Sequence, residues 1–432
     1  MLPRSTRGRR VLRVTLVCAC LAGAVIAVAA ATGPERSLGA ARVLTTTRPR
    51  ALSAGRFLDS VGVNTHITYL DTSYQNVHRW LGELRSLGVH HIRDTLAVGS
   101  TYERGVLGQL AHVGIRATLI ADARRSPAAS VRVAIGALRR DIDALENPNE
   151  PDVQLGRHWP RIVRRFVRGL GIALSRSARR RLPLLSPGFA SPANNRRIAN
   201  LTRFWSVENL HSYPGGQDPS FRFDYPLAVG RQTDPGTVLF NTETGYHNAT
   251  RATYEQPGVS ERAAAIYIPR LLLQYFGAGI RRTFLYELLD ERPNPRRNNP
   301  ENHFGLIRAN MVPKPAYLAV RNLLAIVARS PGRGSSRSVS VTSPAGRVET
   351  VLLSRRDGSR VLFLWRIGRV YNTARRRDVR VSPIAVRVRW DRPGAAGEIV
   401  DPTLASAGKP FADSGRGLSM ELGGDVLAVS FR

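Results

Sequence analysis

The sequence predicts a (β/α)8 barrel followed by a small antiparallel β-sandwich, with an export segment in front of both. Three observations support this prediction. Strand and helix patterns alternate from residue 57 to residue 330, short strands with tight turns follow, and the chain begins with a basic stretch and an apolar run. With 432 residues, the chain is long enough for one large domain and one smaller domain.

The N-terminal segment, residues 1–31, has the features of a signal peptide. Several arginines precede an uncharged apolar run from Val14 to Ala31, which ends in small residues. A run of this length is also compatible with an uncleaved membrane anchor. Both cysteines, Cys18 and Cys20, lie inside the run, so a processed chain would have no thiol and no disulfide. We therefore expect an exported protein, secreted or membrane-anchored, that works outside the cytoplasm.

Residues 32–56 have the composition of a polar linker, and eight candidate strands follow them. The strands are apolar runs without clean alternation, as expected where helices cover the outside of a parallel sheet. They occupy residues 60–66, 89–96, 116–122, 141–147, 182–188, 207–213, 237–246 and 281–291. Between them, apolar residues at helical spacing predict helices, among them residues 77–87, 159–170 and 261–276.

Eight strands separated by helices or long crossovers fit a single closed barrel over residues 57–330. A doubly wound open sheet is the alternative. It is less favoured because no strand is followed by a glycine-rich phosphate-binding turn.

The pattern changes at the stretch SPGRGSSR, which begins at Ser330 and has a linker composition. Short strands follow, separated by turns such as Asp357-Gly358 and Gly423-Gly424. This pattern predicts a β-sandwich over residues 337–432. Because the linker is short, we expect the sandwich to pack tightly on the barrel.

The net charge of +32 comes almost entirely from arginine. A GC-rich coding sequence would explain this bias without any function. A polyanionic partner, such as an anionic envelope polymer or a membrane surface, would also explain it. The arginines are scattered along the chain with no zinc-finger, RNP or KH signature, so we do not expect nucleic acid to be a partner.

In a barrel of this kind, the active site forms at the C-terminal ends of the strands. Polar residues at the C-terminal ends of the predicted strands, or just after them, are His66, Arg93, Asn149, Glu150, His211, Tyr213, Glu243, Tyr246, Glu287 and Asp290. Pro148 and Pro151 flank Asn149 and Glu150, which excludes a regular helix there and indicates a rigid turn.

Two of these residues, Glu150 and Glu243, follow the fourth and seventh strands and would face each other across the barrel mouth. Two facing carboxylates are the minimum requirement for glycoside hydrolysis, a reaction that needs neither a metal nor a cofactor. The histidines show no recognisable metal-binding spacing. We therefore expect no metal site and no cofactor.

The chain resembles the retaining glycoside hydrolases of clan A, nearest to family 39-like or family 5-like enzymes. That clan has an Asn-Glu pair after strand four and a glutamate after strand seven, and Asn149-Glu150 and Glu243 match this order. The stretch FGLIRANMVPKPAYLAV, residues 304–320, and the C-terminal sandwich are also similar to family 39-like enzymes. Pro148 departs from the clan, which often has an aromatic residue there.

The resemblance implies that Glu150 is the acid/base and Glu243 the nucleophile, with Arg93 and Tyr213 holding the nucleophile. It implies retaining hydrolysis of O-glycosidic bonds, and we expect a cell-envelope or extracellular polysaccharide as the substrate. The residues expected to bind this substrate are Asn149, Arg93, His66, His211, Tyr213, Tyr246, Glu287 and Asp290.

Structural interpretations of the same residues remain open from the sequence. Glu150 could cap the next helix, and Glu243 could pair with a barrel arginine. His66 and His211 could be core histidines, while Glu287 and Asp290 could pair with nearby arginines. The alternative function is a non-catalytic envelope protein that binds carbohydrate or an anionic polymer.

Overall fold

The computed structural model of the protein describes residues 44–221, 223–330, 332–334, 336–413, 415 and 417–432. The predicted signal segment, residues 1–31, and the start of the predicted linker lie outside these residues. Within the described ranges, no helix is long and apolar enough to cross a membrane.

Two short strands, β1 (Leu44–Thr47) and β2 (Ala51–Ser53), precede a closed barrel of eight parallel strands. The barrel strands are β3 (Val61–Asn64), β4 (His91–Thr95), β5 (Arg116–Ile120), β6 (Ile142–Glu146), β7 (Leu184–Leu185), β8 (Val207–His211), β9 (Val238–Thr244) and β10 (Arg282–Leu285). Pairing of β10 with β3 closes the barrel. The predicted (β/α)8 barrel is confirmed, and the alternative of an open sheet is wrong.

Strand β7 is shorter than the predicted strand at residues 182–188. Pro183 and Pro187 stand on its two sides, and proline has no N–H to donate to a sheet ladder. Only Leu184 and Leu185 therefore complete the pairing between β6 and β8.

The helices cover the outside of the barrel. They are α1 (Ala54–Asp59), α2 (Val77–Leu87), α3 (Thr101–His112), α4 (Pro127–Ile135), α5 (Pro151–Gln154), α6 (Trp159–Ser175), α7 (Asp224–Thr233), α8 (Glu261–Gly277) and α9 (Pro315–Ala328). Between β7 and β8 the connection is a 3-10 segment, Pro192–Phe204.

The C-terminal part consists of two sheets that face each other and a small ribbon. Its strands are β11 (Val339–Pro344), β12 (Val348–Ser354), β13 (Arg360–Arg366), β14 (Tyr371–Asn372), β15 (Arg377–Asp378), β16 (Ile384–Trp390), β17 (Ala396–Val400), β18 (Lys409–Ala412), β19 (Leu418–Leu422) and β20 (Leu427–Phe431). Side chains from both sheets share one apolar core. The predicted antiparallel β-sandwich is confirmed.

The two N-terminal strands belong to this sandwich and not to a linker. Strand β1 pairs antiparallel with β11, and β2 pairs parallel with β12. Part of the predicted linker at residues 32–56 is therefore sheet. The sequence concealed this because the partners lie about 300 residues away, a distance that local patterns do not report.

The sandwich and the barrel share a continuous apolar core, to which both β13 and α8 contribute. Arg270 of α8 is fully buried at this junction and donates hydrogen bonds to the backbone carbonyls of Gly368 and Gly424. Its charge is balanced by Asp218 of the barrel. These contacts fix the sandwich against the side of the barrel.

Candidate active site

The buried guanidinium of Arg93 organises the mouth of the barrel. Arg93 is the central residue of β4, and 2% of its surface is exposed. Its Nε and Nη2 donate to both oxygens of Glu146, at 2.8 and 2.6 Å. Nη1 donates to Glu243 Oε1 at 2.7 Å and to Asn64 Oδ1 at 2.9 Å, and Nη2 also donates to Asn149 Oδ1 at 2.7 Å. One side chain therefore links the ends of β3, β4, β6 and β9.

Glu243 is held from two sides. Arg93 donates to Oε1, and the Tyr213 hydroxyl donates to Oε2 at 3.1 Å. Burial by itself would raise the pKa of Glu243, but the charges of His211 and Arg93 and the two hydrogen bonds outweigh it and lower that pKa. The carboxylate is therefore ionised and fixed in direction, although only 2% of the residue is exposed.

Glu150 sits on an unusual backbone turn. Its φ of 37° and ψ of 52° lie in the left-handed region, which costs a residue with a side chain about 1–3 kcal/mol. The Glu150 N–H donates to the Gly188 carbonyl at 2.8 Å, and Pro151 starts α5 directly afterwards. This turn directs the carboxylate to His211, whose Nδ1 lies 3.0 Å from Glu150 Oε1.

His211 reaches Glu150 because Gly188 has no side chain. A Cβ at residue 188 would lie 2.2 Å from His211 Nε2. A register shift between Leu210 and His211 also places His211 directly opposite Glu243 on β9. Burial would lower the pKa of His211, but the charge of Glu243 and the hydrogen bond and charge of Glu150 raise it overall.

A chain of hydrogen bonds connects His211 back to the arginine cluster. Its Nε2 lies 3.1 Å from the Thr242 hydroxyl, which donates to Asn209 Oδ1 at 2.7 Å. Asn209 Nδ2 donates to Glu146 Oε1 at 3.0 Å. The Thr242 hydroxyl hydrogen points to Asn209, so the Thr242 oxygen accepts a hydrogen bond from His211 Nε2–H. The other ring nitrogen, Nδ1, therefore faces Glu150.

A cavity opens above these groups. Its lining includes Asn64, His66, Arg93, Asn149, Glu243 and Tyr286. Asn149 Oδ1 accepts from Arg93, so its amide nitrogen is the group that can donate into the cavity. His66 stacks on Tyr69 with ring centroids 4.5 Å apart, and burial lowers the pKa of His66 to about 4.

Seven of the predicted site residues thus converge around Glu243 or line the cavity: His66, Arg93, Asn149, Glu150, His211, Tyr213 and Glu243 itself. Glu287 lies just behind His66, with its Oε2 3.3 Å from His66 Nε2. Among the described residues, Glu287 forms no ion pair with an arginine, a pairing that the sequence had left open.

Two predicted substrate-binding residues, Tyr246 and Asp290, make their contacts outside the cavity. The Tyr246 hydroxyl donates to the Gln217 carbonyl, and its ring stacks on Tyr267. Asp290 forms a buried ion pair with Lys314, whose Nζ lies 2.7 Å from Asp290 Oδ1. Neither residue lines the cavity described above. Their positions after strands suggested the site, but their partners come from segments that only the fold brings close.

The sequence analysis missed Asn64, Glu146 and Asn209. Glu146 had a detectable signal, because a charged residue that ends a buried strand needs a partner of opposite charge. Arg93 also has five N–H donors, more than one carboxylate can accept. Asn64 and Asn209 give no such signal, since an asparagine near a strand end is common in loops as well.

Two groups of described residues are close enough to hold a metal ion, namely His66, Glu287 and Glu291, and Glu150, His211 and Glu243. In the second group, one atom from each residue lies within 4.8 Å of the others. A carboxylate oxygen of Glu150 is therefore within 4.8 Å of one of Glu243. In this group Arg93 and His211 already contact the carboxylates.

No protein-family model matches the chain, and no curated protein matches it in sequence. Solved structures do share its fold. A family 39 glycoside hydrolase from Bacteroides cellulosilyticus WH2 superposes with a TM-score of 0.63 at 15% identity, covering 89% of this chain and 83% of that chain. A β-xylosidase from Caulobacter crescentus CB15 has a TM-score of 0.57 at 14% identity, covering 90% and 97%.

A glucosidase from Croceicoccus marinus is a third such structure, with a TM-score of 0.55 at 11% identity, covering 81% of this chain and 91% of that chain. At these identities the similarity establishes the fold. The resemblance to clan A (β/α)8 glycoside hydrolases is confirmed at that level, because the similarity spans both the barrel and the sandwich.

Replacing Glu146 with alanine should lower the free energy of unfolding by about 3–5 kcal/mol, because Arg93 would lose its two-point partner while remaining buried. Glu243→Gln should cost less, since Arg93 keeps Glu146 and still has an oxygen to donate to. Urea unfolding monitored by circular dichroism measures both values. Equal losses for the two variants would contradict the central role of the Arg93–Glu146 pair.

Proposed function

We propose that this protein is a retaining glycoside hydrolase that acts on a polysaccharide outside the cytoplasm. The observation that supports this most is the proximity of two buried glutamates at the ends of the fourth and seventh barrel strands, β6 and β9. Oxygens of Glu150 and Glu243 lie within 4.8 Å of each other. Retaining enzymes have carboxyl groups about 5–5.5 Å apart, whereas inverting enzymes need about 6.5–9.5 Å to admit a water molecule.

Glu243 is suited to attack the anomeric carbon. Its lowered pKa keeps it ionised, and the hydrogen bonds from Arg93 and Tyr213 hold it in one direction. Attack forms a glycosyl ester and removes the negative charge from the carboxylate. Arg93 then remains neutralised by Glu146, so the covalent intermediate does not leave an unpaired buried cation.

Glu150 would donate a proton to the leaving oxygen and later remove one from water. Its 3.0 Å contact with His211 Nδ1 requires one proton between the two atoms, because His211 Nε2 is directed to Thr242. The pair therefore keeps a proton beside the glycosidic oxygen. His211 also senses Glu243, whose Oε2 lies 3.7 Å from Nδ1, so the charge lost in the first step is felt at the acid.

Asn149 would recognise the hydroxyl next to the anomeric carbon. Arg93 fixes the orientation of its amide, and the amide nitrogen can donate to that hydroxyl. Such a hydrogen bond strengthens as positive charge develops on the sugar ring in the transition state.

A non-catalytic binding protein would not need this arrangement. It would gain nothing from a strained Glu150 backbone or from a second buried carboxylate within 4.8 Å. The catalytic interpretation explains both features with one mechanism. A Glu243→Gln substitution distinguishes a hydrolase from a binding protein, because it would remove turnover but would leave pure binding intact.

Glu243→Gln should reduce kcat on aryl glycosides by about 10⁴-fold or more, as expected when a nucleophile is lost. A panel of 4-nitrophenyl glycosides identifies a working substrate for wild type first. Glu208→Gln is the matched control, because Glu208 is a buried glutamate of β8 that accepts from Asn195 and does not line the cavity. Full activity of the Glu243 variant would refute the assignment.

Glu150→Ala should slow hydrolysis of substrates with poor leaving groups by about 10²–10⁴-fold, while aryl glycosides with good leaving groups lose less. Azide should rescue the variant and give a glycosyl azide with the anomeric configuration of the substrate. Proton NMR of the product identifies the anomer. An inverted product would show that the two carboxylates act by the other mechanism.

Export follows from the sequence features of residues 1–31 and remains a proposal. We expect the protein in culture medium or membrane fractions of its native host, with a mature N-terminus near residue 32 if the segment is cleaved. N-terminal sequencing of the fractionated protein tests this. Recovery of the intact chain from the soluble cytoplasm would overturn it.

A further inference from the structure

The ribbon of β14 and β15 joins the C-terminal sandwich to the mouth of the barrel. In its turn, Thr373 Oγ1 accepts a hydrogen bond from Gln217 Nε2 at 3.4 Å, and Asp378 of β15 accepts one from the Ser260 hydroxyl. Gln217 lies in the loop after β8, and Ser260 ends the loop after β9. The ribbon therefore contacts two loops at the C-terminal ends of the barrel strands, the end at which the cavity opens.

This contact lies close to Glu243. A Cβ at Gly216 would lie 3.0 Å from Thr373 Cγ2, so the loop after β8 packs directly on the ribbon turn. Gly216 is three residues after Tyr213, whose hydroxyl donates to Glu243. The Cα atoms of Tyr213 and Gly216 are therefore at most about 11 Å apart.

Six arginines lie on the ribbon and on the neighbouring loops after β9 and β10, and we call them the basic rim. The Arg251 N–H donates to the Arg297 carbonyl at 2.9 Å. The positive charges of Arg297 and Arg376 both lower the pKa of Tyr371, although burial raises that pKa overall, so the loop and the ribbon contribute to the same surface. The members are Arg251, Arg296, Arg297, Arg375, Arg376 and Arg377, all of them exposed except the half-buried Arg297.

No described carboxylate forms an ion pair with an arginine of the basic rim. Acids nearby are paired with other cations, namely Asp218 with Arg270, Glu261 with Arg308, Asp290 with Lys314 and Asp71 with Arg292. Asp378 of the ribbon is exposed and adds one negative charge beside three arginines. The rim is therefore left with an excess of positive charge.

The other carboxyls of these loops offset only part of this excess. Burial raises the pKa of Glu255 and of Glu291 to about 7. Burial also raises the pKa of Glu287 and of Glu301 well above the usual value, so both are neutral at physiological pH. Four glutamates therefore carry much less charge than the six arginines.

Two rim arginines occupy backbone positions that favour glycine. The φ angles are 52° at Arg297 and 48° at Arg376, where a side chain is less stable than glycine. Arg297 Nε donates to the Asn248 carbonyl, but the Arg376 side chain forms no hydrogen bond with a described residue. The fold therefore gains nothing visible from an arginine at residue 376, and a use for its charge has to come from outside the chain.

The cavity itself has no comparable excess of positive charge. Two arginines line it, Arg93 and Arg124. Arg93 is neutralised by Glu146 and Glu243, and Arg124 Nη1 lies 3.5 Å from Asp122 Oδ1. The unbalanced charge is therefore on the basic rim and not in the cavity.

The cavity and the basic rim occupy different halves of the barrel mouth. Loops after β3, β4, β5 and β6 form most of the cavity lining, whereas the rim lies beside the loops after β8, β9 and β10. Glu243 of β9 reaches into the cavity from the rim side. A chain with one sugar in the cavity and its scissile bond at Glu243 would continue over the rim.

We propose that the basic rim binds an anionic polysaccharide, and that this polymer is the substrate, with its acidic groups on the leaving side of the scissile bond. The proposal rests on the glycosidase function proposed above and specifies the class of its substrate. A guanidinium donates two parallel hydrogen bonds to a carboxylate, phosphate or sulfate group. Six guanidiniums spread over a ribbon and two loops fit a chain of repeated anionic groups better than a single ion.

Non-specific attraction is the competing explanation, because a net charge of +32 attracts any polyanion. The chain offers a matched control for it. Arg179, Arg180 and Arg181 form a second triplet that precedes β7 and therefore lies at the opposite end of the barrel. Removing either triplet changes the net charge by the same amount, so only a specific surface makes the two variants differ.

The binding experiment uses the full chain with Glu243→Gln, so that no turnover occurs. Isothermal titration calorimetry compares dextran with its carboxymethyl, phosphate and sulfate derivatives of matched length, which also identifies the preferred anion. We expect at least one derivative to bind about tenfold or more tightly than dextran. Arg375→Gln, Arg376→Gln and Arg377→Gln together should remove this gain, whereas Arg179→Gln, Arg180→Gln and Arg181→Gln together should retain it.

Two further measurements separate binding from folding and from a remote site. Arg376→Gly should weaken binding of the same derivative and should leave the Tm unchanged or raise it, because glycine suits the backbone there. In wild type, the bound derivative should raise KM for an aryl glycoside about threefold or more without lowering kcat, because it covers the leaving side. The ribbon triplet variant should lose this inhibition.

The inference is overturned if no derivative binds better than dextran, or if the two triplet variants lose affinity equally. It is also overturned if a derivative that binds leaves KM unchanged, since the polymer would then lie away from the scissile bond. Hydrolysis of aryl glycosides by wild type, and its loss in the Glu243 variant, would still establish the glycosidase function in each of these cases.

Discussion

The arrangement of the barrel mouth depends on the Arg93 guanidinium. It is buried and carries a permanent charge, so it must be neutralised and its donors must be satisfied in place. The charges of Glu146 and Glu243 outweigh the effect of burial and raise the pKa of Arg93. Five hydrogen bonds from Arg93 reach four residues at or just after the ends of three other strands, β3, β6 and β9. Moving any one of these strands would leave a buried donor or a buried charge without its partner.

The division of work between Glu146 and Glu243 follows from this geometry. Glu146 contacts Arg93 with both carboxylate oxygens and is not among the residues that line the cavity. It therefore neutralises Arg93 at every stage of the proposed reaction. Glu243 receives only one hydrogen bond from Arg93 and lines the cavity. The nucleophile role proposed for Glu243 needs this combination, because a nucleophile must be ionised and aimed yet able to lose its charge without destabilising its neighbours.

The charge of the surface and that of the cavity have different origins. Arginines are spread over the whole chain, while Glu287 and Glu301, the carboxylates behind His66 and Tyr286, both lie in the loop after β10. Net charge therefore describes how the protein meets large polyanions. It does not determine which ligand the cavity prefers, since a buried site is governed by groups within a few ångströms.

The sequence by itself determined the fold class and the positions of Glu150 and Glu243 at the ends of strands. Eight apolar runs with intervening helical spacing predicted the barrel, and the prolines beside Asn149 and Glu150 marked a rigid turn at a strand end. These signals are local, because periodicity and backbone restriction act over a few residues. The order of strands along the chain then placed Glu150 and Glu243 at the same end of the barrel.

Only the tertiary structure decided which polar residues cooperate. Tyr246 and Asp290 follow strands as the site residues do, yet their hydrogen bonds go to Gln217 and Lys314. Glu146 and Asn209 obtain their roles from contacts with residues far away in the chain. The pairing of β1 and β2 with the C-terminal sheets was hidden for the same reason. Side-chain partners are set by the closure and register of the barrel, and no local pattern encodes those distances.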